Sequence, residues 1–121
     1  MPWIRPAAEL VSRFDRWLPQ SVGIDRRQMF GCPCAFVNGN MFAGVHEHNL
    51  IVRLPQDRRE RLLAARDAQP FQAMGRTMRE YVAISDPLDR PPDQIERLIA
   101  DAYAFASGLP PKVSSRKRSR P

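Results

Sequence analysis

Two short segments carry the side chains best suited to chemistry, Cys32-Pro33-Cys34 and His46-Glu47-His48. Together they hold the donor types of a Cys₂His₂ zinc site. Their spacing matches neither the helical nor the knuckle arrangement of such sites. The segment between them raises a stronger objection. Asn38-Gly39 suits a two-residue type I′ turn, because both residues tolerate positive φ. That turn sets Val37 opposite Asn40, Ala35 opposite Phe42 and Cys34 opposite Ala43. Side chains alternate along a strand, so Cys32 and Cys34 then point to one face and His46 to the other. A bulge in the hairpin would reverse this. The expectation is no bound metal or other cofactor, with both cysteines acting as small buried hydrophobes.

Other chemistry is weaker still. A redox pair normally has Cys-x-x-Cys spacing at a helix start, where the thiol pKa falls. Here one proline separates the cysteines in a strand-like context. Asp and Glu are scattered through helical and turn positions, and no glycine-rich phosphate loop is present. No catalytic residue is assigned, and the expectation is a protein that is not an enzyme. Arg76 and Arg79, after Gly75, are candidates for holding an anion, although they also suit the outer side of an edge strand. Lys112, Arg116, Lys117, Arg118 and Arg120 are candidates for weak, salt-sensitive nucleic-acid contact, since clustered positive charge releases counterions from phosphates. No aromatic residue lies among them to stack on bases.

The elements that must position these residues read as follows. Leu10, Val11, Phe14, Trp17 and Leu18 make an apolar stripe on a helix over 4–18, stopped by Pro19. Short strands follow at 26–30, 35–37, 40–45 and 50–54, joined by turns at Asn38-Gly39 and at 46–49. Residues 56–66 suit a mostly exposed helix, with Asp57 and Arg66 placed to match its dipole. An extended piece starts at Pro70-Phe71. Gly75 turns the chain into a strand over 78–84, with Met78, Tyr81 or Val82, and Ile84 facing the core. Pro91-Pro92 opens a last helix and Gly108 closes it, with Ile95, Leu98, Ile99, Ala102, Phe105 and Ala106 on one face. The order α-β-β-β-β-α-β-β-α, with a hairpin meander, predicts an α+β fold built on an antiparallel sheet.

Composition sets the outer bounds. A chain of 121 residues with 43% hydrophobic content fits one globular domain, expected over residues 1–109 and followed by a basic tail over 110–121. The formal charge is +6, yet without the five tail residues 14 basic residues face 13 acidic ones. The basicity therefore belongs to the tail rather than to a basic nucleic-acid-binding domain. Arg5, Glu9, Arg13, Asp15 and Arg16 interrupt the N-terminal region where a secretory leader would need an apolar run. No apolar run approaches the ~20 residues that span a bilayer. A cytoplasmic protein without membrane contact is expected, and a homodimer would suit so small a core.

Several of these segments, in this order, resemble the N-terminal domain of the TfoX/Sxy competence-regulator family. They are Met29-Phe30-Gly31, Phe36-Val37-Asn38-Gly39-Asn40-Met41-Phe42-Ala43 and Leu50-Ile51-Val52-Arg53-Leu54. Pro70-Phe71, Gly75-Arg76-Thr77-Met78, Tyr81-Val82 and the last helix fit the same pattern, which spans roughly residues 5–108. Cys32-Pro33-Cys34 stands where the family has a glycine-rich segment. The resemblance implies a compact α+β domain, similar also to the YjbR-like fold, with no catalytic residues. Full-length members carry a second, C-terminal domain and act in transcriptional control of DNA uptake, in some bacteria together with the cyclic AMP receptor protein. The expectation is a non-enzymatic regulatory module with a protein partner. A DNA- or anion-binding domain using the basic tail, and a small metal- or thiol-dependent protein, are the alternatives.

Overall fold

The computed structural model describes residues 6–21, 23–29, 32–73 and 75–111. In chain order the elements are α1 (Ala8–Trp17), β1 (Ile24–Met29), β2 (Cys32–Val37), β3 (Asn40–His46) and β4 (Asn49–Arg53). There follow α2 (Gln56–Ala64), β5 (Gln69–Ala73), β6 (Arg76–Ser85), a 3₁₀ turn (Pro87–Asp89) and α3 (Pro92–Ser107). The expected order of elements holds, and the fold is α+β. Boundaries move by a few residues. Paired His46 and Asn49 extend β3 and β4, leaving only Glu47-His48 in the turn, with Glu47 at φ +57°. Gly108 caps α3 at the expected place, but with φ −86° rather than a left-handed conformation.

All neighbouring strands are antiparallel, in the order β1-β2-β3-β4-β6-β5. Strand β6 therefore inserts between β4 and β5, and β1 and β5 form the edges. Pro70 on β5 and the charged Arg26 and Arg27 on β1 discourage further strand addition.

The helices bury their apolar stripes on one face of this sheet. Leu10, Phe14 and Trp17 of α1 join Ile95, Leu98, Ile99, Ala102 and Ala106 of α3. Against them lie Ala35 and Val37, Phe42, Ala43 and Val45, Leu50, Val52 and Leu54, and Val82 and Ile84. Phe105, expected on the buried face of α3, is half-buried. Helix α2 buries no residue completely. Only Leu62 and Leu63 reach the core, and Arg58 ties the helix to Asp101 of α3 at 2.8 Å.

Register corrects one expectation. Asn38 (φ +52°) and Gly39 (φ +79°) make the tight turn, and Val37 opposes Asn40. Beyond Phe36↔Met41 the register slips, so that Ala35 opposes Ala43 and Cys34 opposes Gly44. Phe42 is the extra residue of a β-bulge. Its ring is fully buried and meets Tyr103 of α3 edge-on at 5.4 Å. Phe42 and Ala43 thus both serve the core, and the rest of β3 changes sides.

Candidate functional site

The bulge decides what the second face of the sheet displays. Residues directly opposite in a ladder share a face. Beyond the bulge, Cys34 shares the helix-free face with Gly44, and Gly44 with Ile51. Ile51 in turn opposes Ala83, and Arg53 opposes Tyr81. Cys32 and His46, each two residues further along, fall on the same face. The expected separation of both cysteines from His46 is therefore overturned, because the extra residue in β3 shifts its alternation by one.

The floor of this face is small and close-packed. Cys32, Cys34, Ile51 and Ala83 are buried, yet they stand outside the core under the helices. Gly44 is needed here. A Cβ on it would come within 3.2 Å of Cys34 Sγ and 3.3 Å of the Pro33 carbonyl oxygen. Larger half-buried side chains roof this floor. His46 meets Phe71 edge-on at 5.3 Å, and Phe71 meets Tyr81 edge-on at 6.3 Å. Strands β3 and β5 lie three places apart, which is about 14 Å in a flat sheet. The two rings lean toward each other across β4 and β6 to make this contact. Tyr81 Oη donates to the Met41 carbonyl at 3.2 Å, closing the arch between β6 and β3.

Two arginines stack on aromatic rings of this face, Arg53 on the row itself and Arg27 on Phe36. The Arg53 guanidinium sits 5.7 Å from the Tyr81 ring centre, and that of Arg27 sits 4.8 Å from the ring centre of Phe36. Cation–π pairs of this kind contribute about 0.5–1 kcal/mol where exposed. Arg53 Nε is buried without an acceptor among the described residues. Burial pushes the Tyr81 hydroxyl pKa up, and the neighbouring Arg53 charge works against that rise.

The cysteines are poor nucleophiles in this setting. Both are free thiols. Burial, then repulsion from Cys32, pushes the Cys34 pKa up to about 11. Burial also raises that of Cys32, opposed by a main-chain hydrogen bond at Glu47. His48 lies apart from them, exposed beside a hollow of about 200 Å³ lined by Leu10 of α1 and by Asp86 and Asp89. Among the described residues no three His, Cys, Asp or Glu side chains come together as a metal-holding set.

Arg76 pairs with Ala73 at the start of β6 and is exposed. Arg79 is also exposed. It lies where the β5–β6 register slips, and it lines a cavity against α2. The candidate nucleic-acid residues Lys112, Arg116, Lys117, Arg118 and Arg120 lie outside the described residues. So do Phe30 and Gly31 of the Met-Phe-Gly segment.

Local sequence reasoning missed Arg53, Arg27 and Met41 as members of this face. Alternation in β2 and β3 could have found Met41 and Phe36 beside the Asn-Gly turn. Arg53 joins Tyr81 only through the β4–β6 pairing, across 28 residues of chain.

No described helix is long and apolar enough to cross a membrane. No curated protein matches the chain. The family model of the TfoX N-terminal domain matches residues 17–106, which include α3 nearly to its end and all six strands of the sheet. The chain therefore belongs to the TfoX N-terminal domain family.

Proposed function

We propose that this domain is a non-enzymatic regulatory module that binds a protein partner through the helix-free face of its sheet. The observation that carries this reading is the arginine-lined aromatic row of His46, Phe71, Tyr81 and Arg53. Aromatic and arginine side chains are enriched among the few residues that carry most of the binding energy at protein interfaces, because they bury large areas. The row is half-buried and held by its own edge contacts, so it needs little rearrangement on binding. The positive charge of Arg53 fits a partner that is acidic around an apolar centre, whereas Arg27 is already paired with Asp25 at 2.6 Å. The free thiols, the dispersed carboxylates and the family assignment support binding over catalysis, and family membership supports a regulatory role like that of competence regulators.

The test is affinity capture with the full chain and with a Phe71→Asp variant, whose fold is checked by its amide NMR spectrum. The wild type should retain a specific partner, and Phe71→Asp should lose it while staying folded. Equal retention by the two proteins would refute the assigned surface.

A further inference from the structure

We infer that the groove between α2 and the β5–β6 hairpin is a binding site for a small organic carboxylate with an apolar body, held by Arg59. The groove encloses about 440 Å³, within the usual range for small-molecule pockets. Its lining is divided by character. Leu63, Pro70, Met78 and Val82 provide apolar surface, whereas Arg59 and Arg79 bring positive charge to it.

The polar groups favour an anion. Glu60, the acidic residue in the lining, accepts a hydrogen bond from the Gln56 side chain at 2.9 Å along the helix surface. Arg79 makes no ion pair among the described residues. Arg59 donates through Nη1 to the Arg79 carbonyl oxygen, which anchors α2 to the hairpin. That bond leaves the Nε–Nη2 edge of the guanidinium, the edge that grips carboxylates two-pronged. Arg26 shows the same edge at work in this molecule, donating to Asp15 from Nε at 2.8 Å and from Nη2 at 3.1 Å. Arg59 Nε is buried and has no acceptor among the described residues. A buried donor left in that state is costly, so a carboxylate that draws the guanidinium edge into the groove replaces the neutral bond to the Arg79 carbonyl with charge-assisted hydrogen bonds.

The apolar lining selects against a bare inorganic anion. Phosphate would leave Leu63, Met78 and Val82 uncovered, whereas an aromatic or branched aliphatic acid covers them and presents one charge to Arg59. Tyr81 borders both this groove and the arginine–aromatic face proposed for partner binding, but Arg59 belongs to the groove alone, so its variants test this site and Phe71→Asp tests the other.

The experiment titrates the full chain with benzoate, benzamide and inorganic phosphate, following backbone amides and arginine Nε–H signals by NMR. Benzoate should shift the amides of residues 56–60 and 77–80 and the Arg59 Nε–H. Benzamide and phosphate should each bind at least tenfold more weakly. Arg59→Gln should weaken benzoate at least tenfold, Arg59→Lys should restore part of the loss, and Arg76→Gln, outside the lining, should leave it unchanged. The amide spectrum of each variant establishes that it is folded. Equal binding of benzamide would reduce the site to a nonspecific apolar groove. Phosphate binding as tight as benzoate, no shift by any probe, or an Arg59→Gln variant that binds like wild type would each overturn the inference.

Discussion

Replacing Gly44 by alanine tests the packing beneath the aromatic face. The new methyl would stand 3.2 Å from Cys34 Sγ, 3.3 Å from the Pro33 carbonyl oxygen and 3.4 Å from Met41 Cε. Met41 is half-buried and its flexible end can yield. The sulfur and the carbonyl belong to buried residues of β2, a strand paired on both sides, and yield less easily. Overpacking of this kind costs about 1–3 kcal/mol. Alanine recovers roughly 0.5–1 kcal/mol of that by restricting the unfolded chain. The net expectation is a loss of about 1 kcal/mol, or roughly 0.5 M in a urea midpoint at a typical denaturant slope. Cys34→Ala removes the nearest contact, so Gly44→Ala should cost less in that background, with a coupling of about 1 kcal/mol. The assay is urea denaturation of the wild type, both single variants and the double variant, at constant slope. Wild-type stability in Gly44→Ala, or strictly additive changes around the cycle, would refute the close approach of β2 and β3 at this point.

Further expectations follow from the same geometry. Helix α2 ends with Arg66 N–H donating to the Leu63 carbonyl and Asp67 N–H to that of Leu62, with Arg66 at φ +62°. This is a Schellman ending with arginine where glycine is favoured, so Arg66→Gly should stabilise the fold by about 1 kcal/mol, read as a higher melting temperature. With its pKa raised from 9.0 to about 11, Cys34 should carry about 100-fold less thiolate near pH 8 than an unperturbed thiol, and react with iodoacetamide at least about tenfold more slowly; native labelling as fast as in urea would contradict that burial. The folded state holds this proton more tightly than the unfolded chain, so its stabilising effect is present below pH 9 and is lost as pH rises from 9 toward 11. Cys34→Ala should flatten that part of the stability profile. Truncation after Pro111 removes Lys112, Arg116, Lys117, Arg118 and Arg120, and should abolish salt-dependent retention on DNA; retention that survives would assign DNA contact to the folded domain.

Much of the fold is legible in the sequence because its signals are local. Asn38-Gly39 marks a tight turn, and the observed φ angles are those a type I′ turn needs. The apolar stripe of α3 and the Pro91-Pro92 opening define the last helix. The face of the sheet is harder to read. Nothing in the residue types around Phe42 announces an extra residue, because a buried phenylalanine fits a regular strand and a bulge equally well. Without the bulge, His46 falls on the side opposite Cys32 and Cys34. With it, all three share the face roofed by Phe71 and Tyr81. The choice between Tyr81 and Val82 as the core residue was open for a similar reason. Their sides depend on pairing with β4, while the β5–β6 register slips beside them. Val82 is buried in the core, and Tyr81 turns to the other face. Arg59 and the α2 groove were illegible because their surroundings come from two elements separated by a turn and an irregular hairpin.

The insertion of β6 between β4 and β5 has a consequence for how the chain is made. Strands β1 to β4 emerge from the ribosome in the order in which they pair, so each finds its neighbour by a short search. That order then breaks. When β5 emerges, its only partner is still unsynthesised, and β4 keeps an open edge until residues 76–85 arrive. The apolar side of the sheet waits longer still, since Ile95, Ile99 and Ala102 belong to α3, which follows β6. A nascent chain halted between β4 and β6 therefore exposes both an unpaired strand edge and a core covered only by α1. That interval of synthesis is when this domain is most exposed to aggregation and most in need of a chaperone.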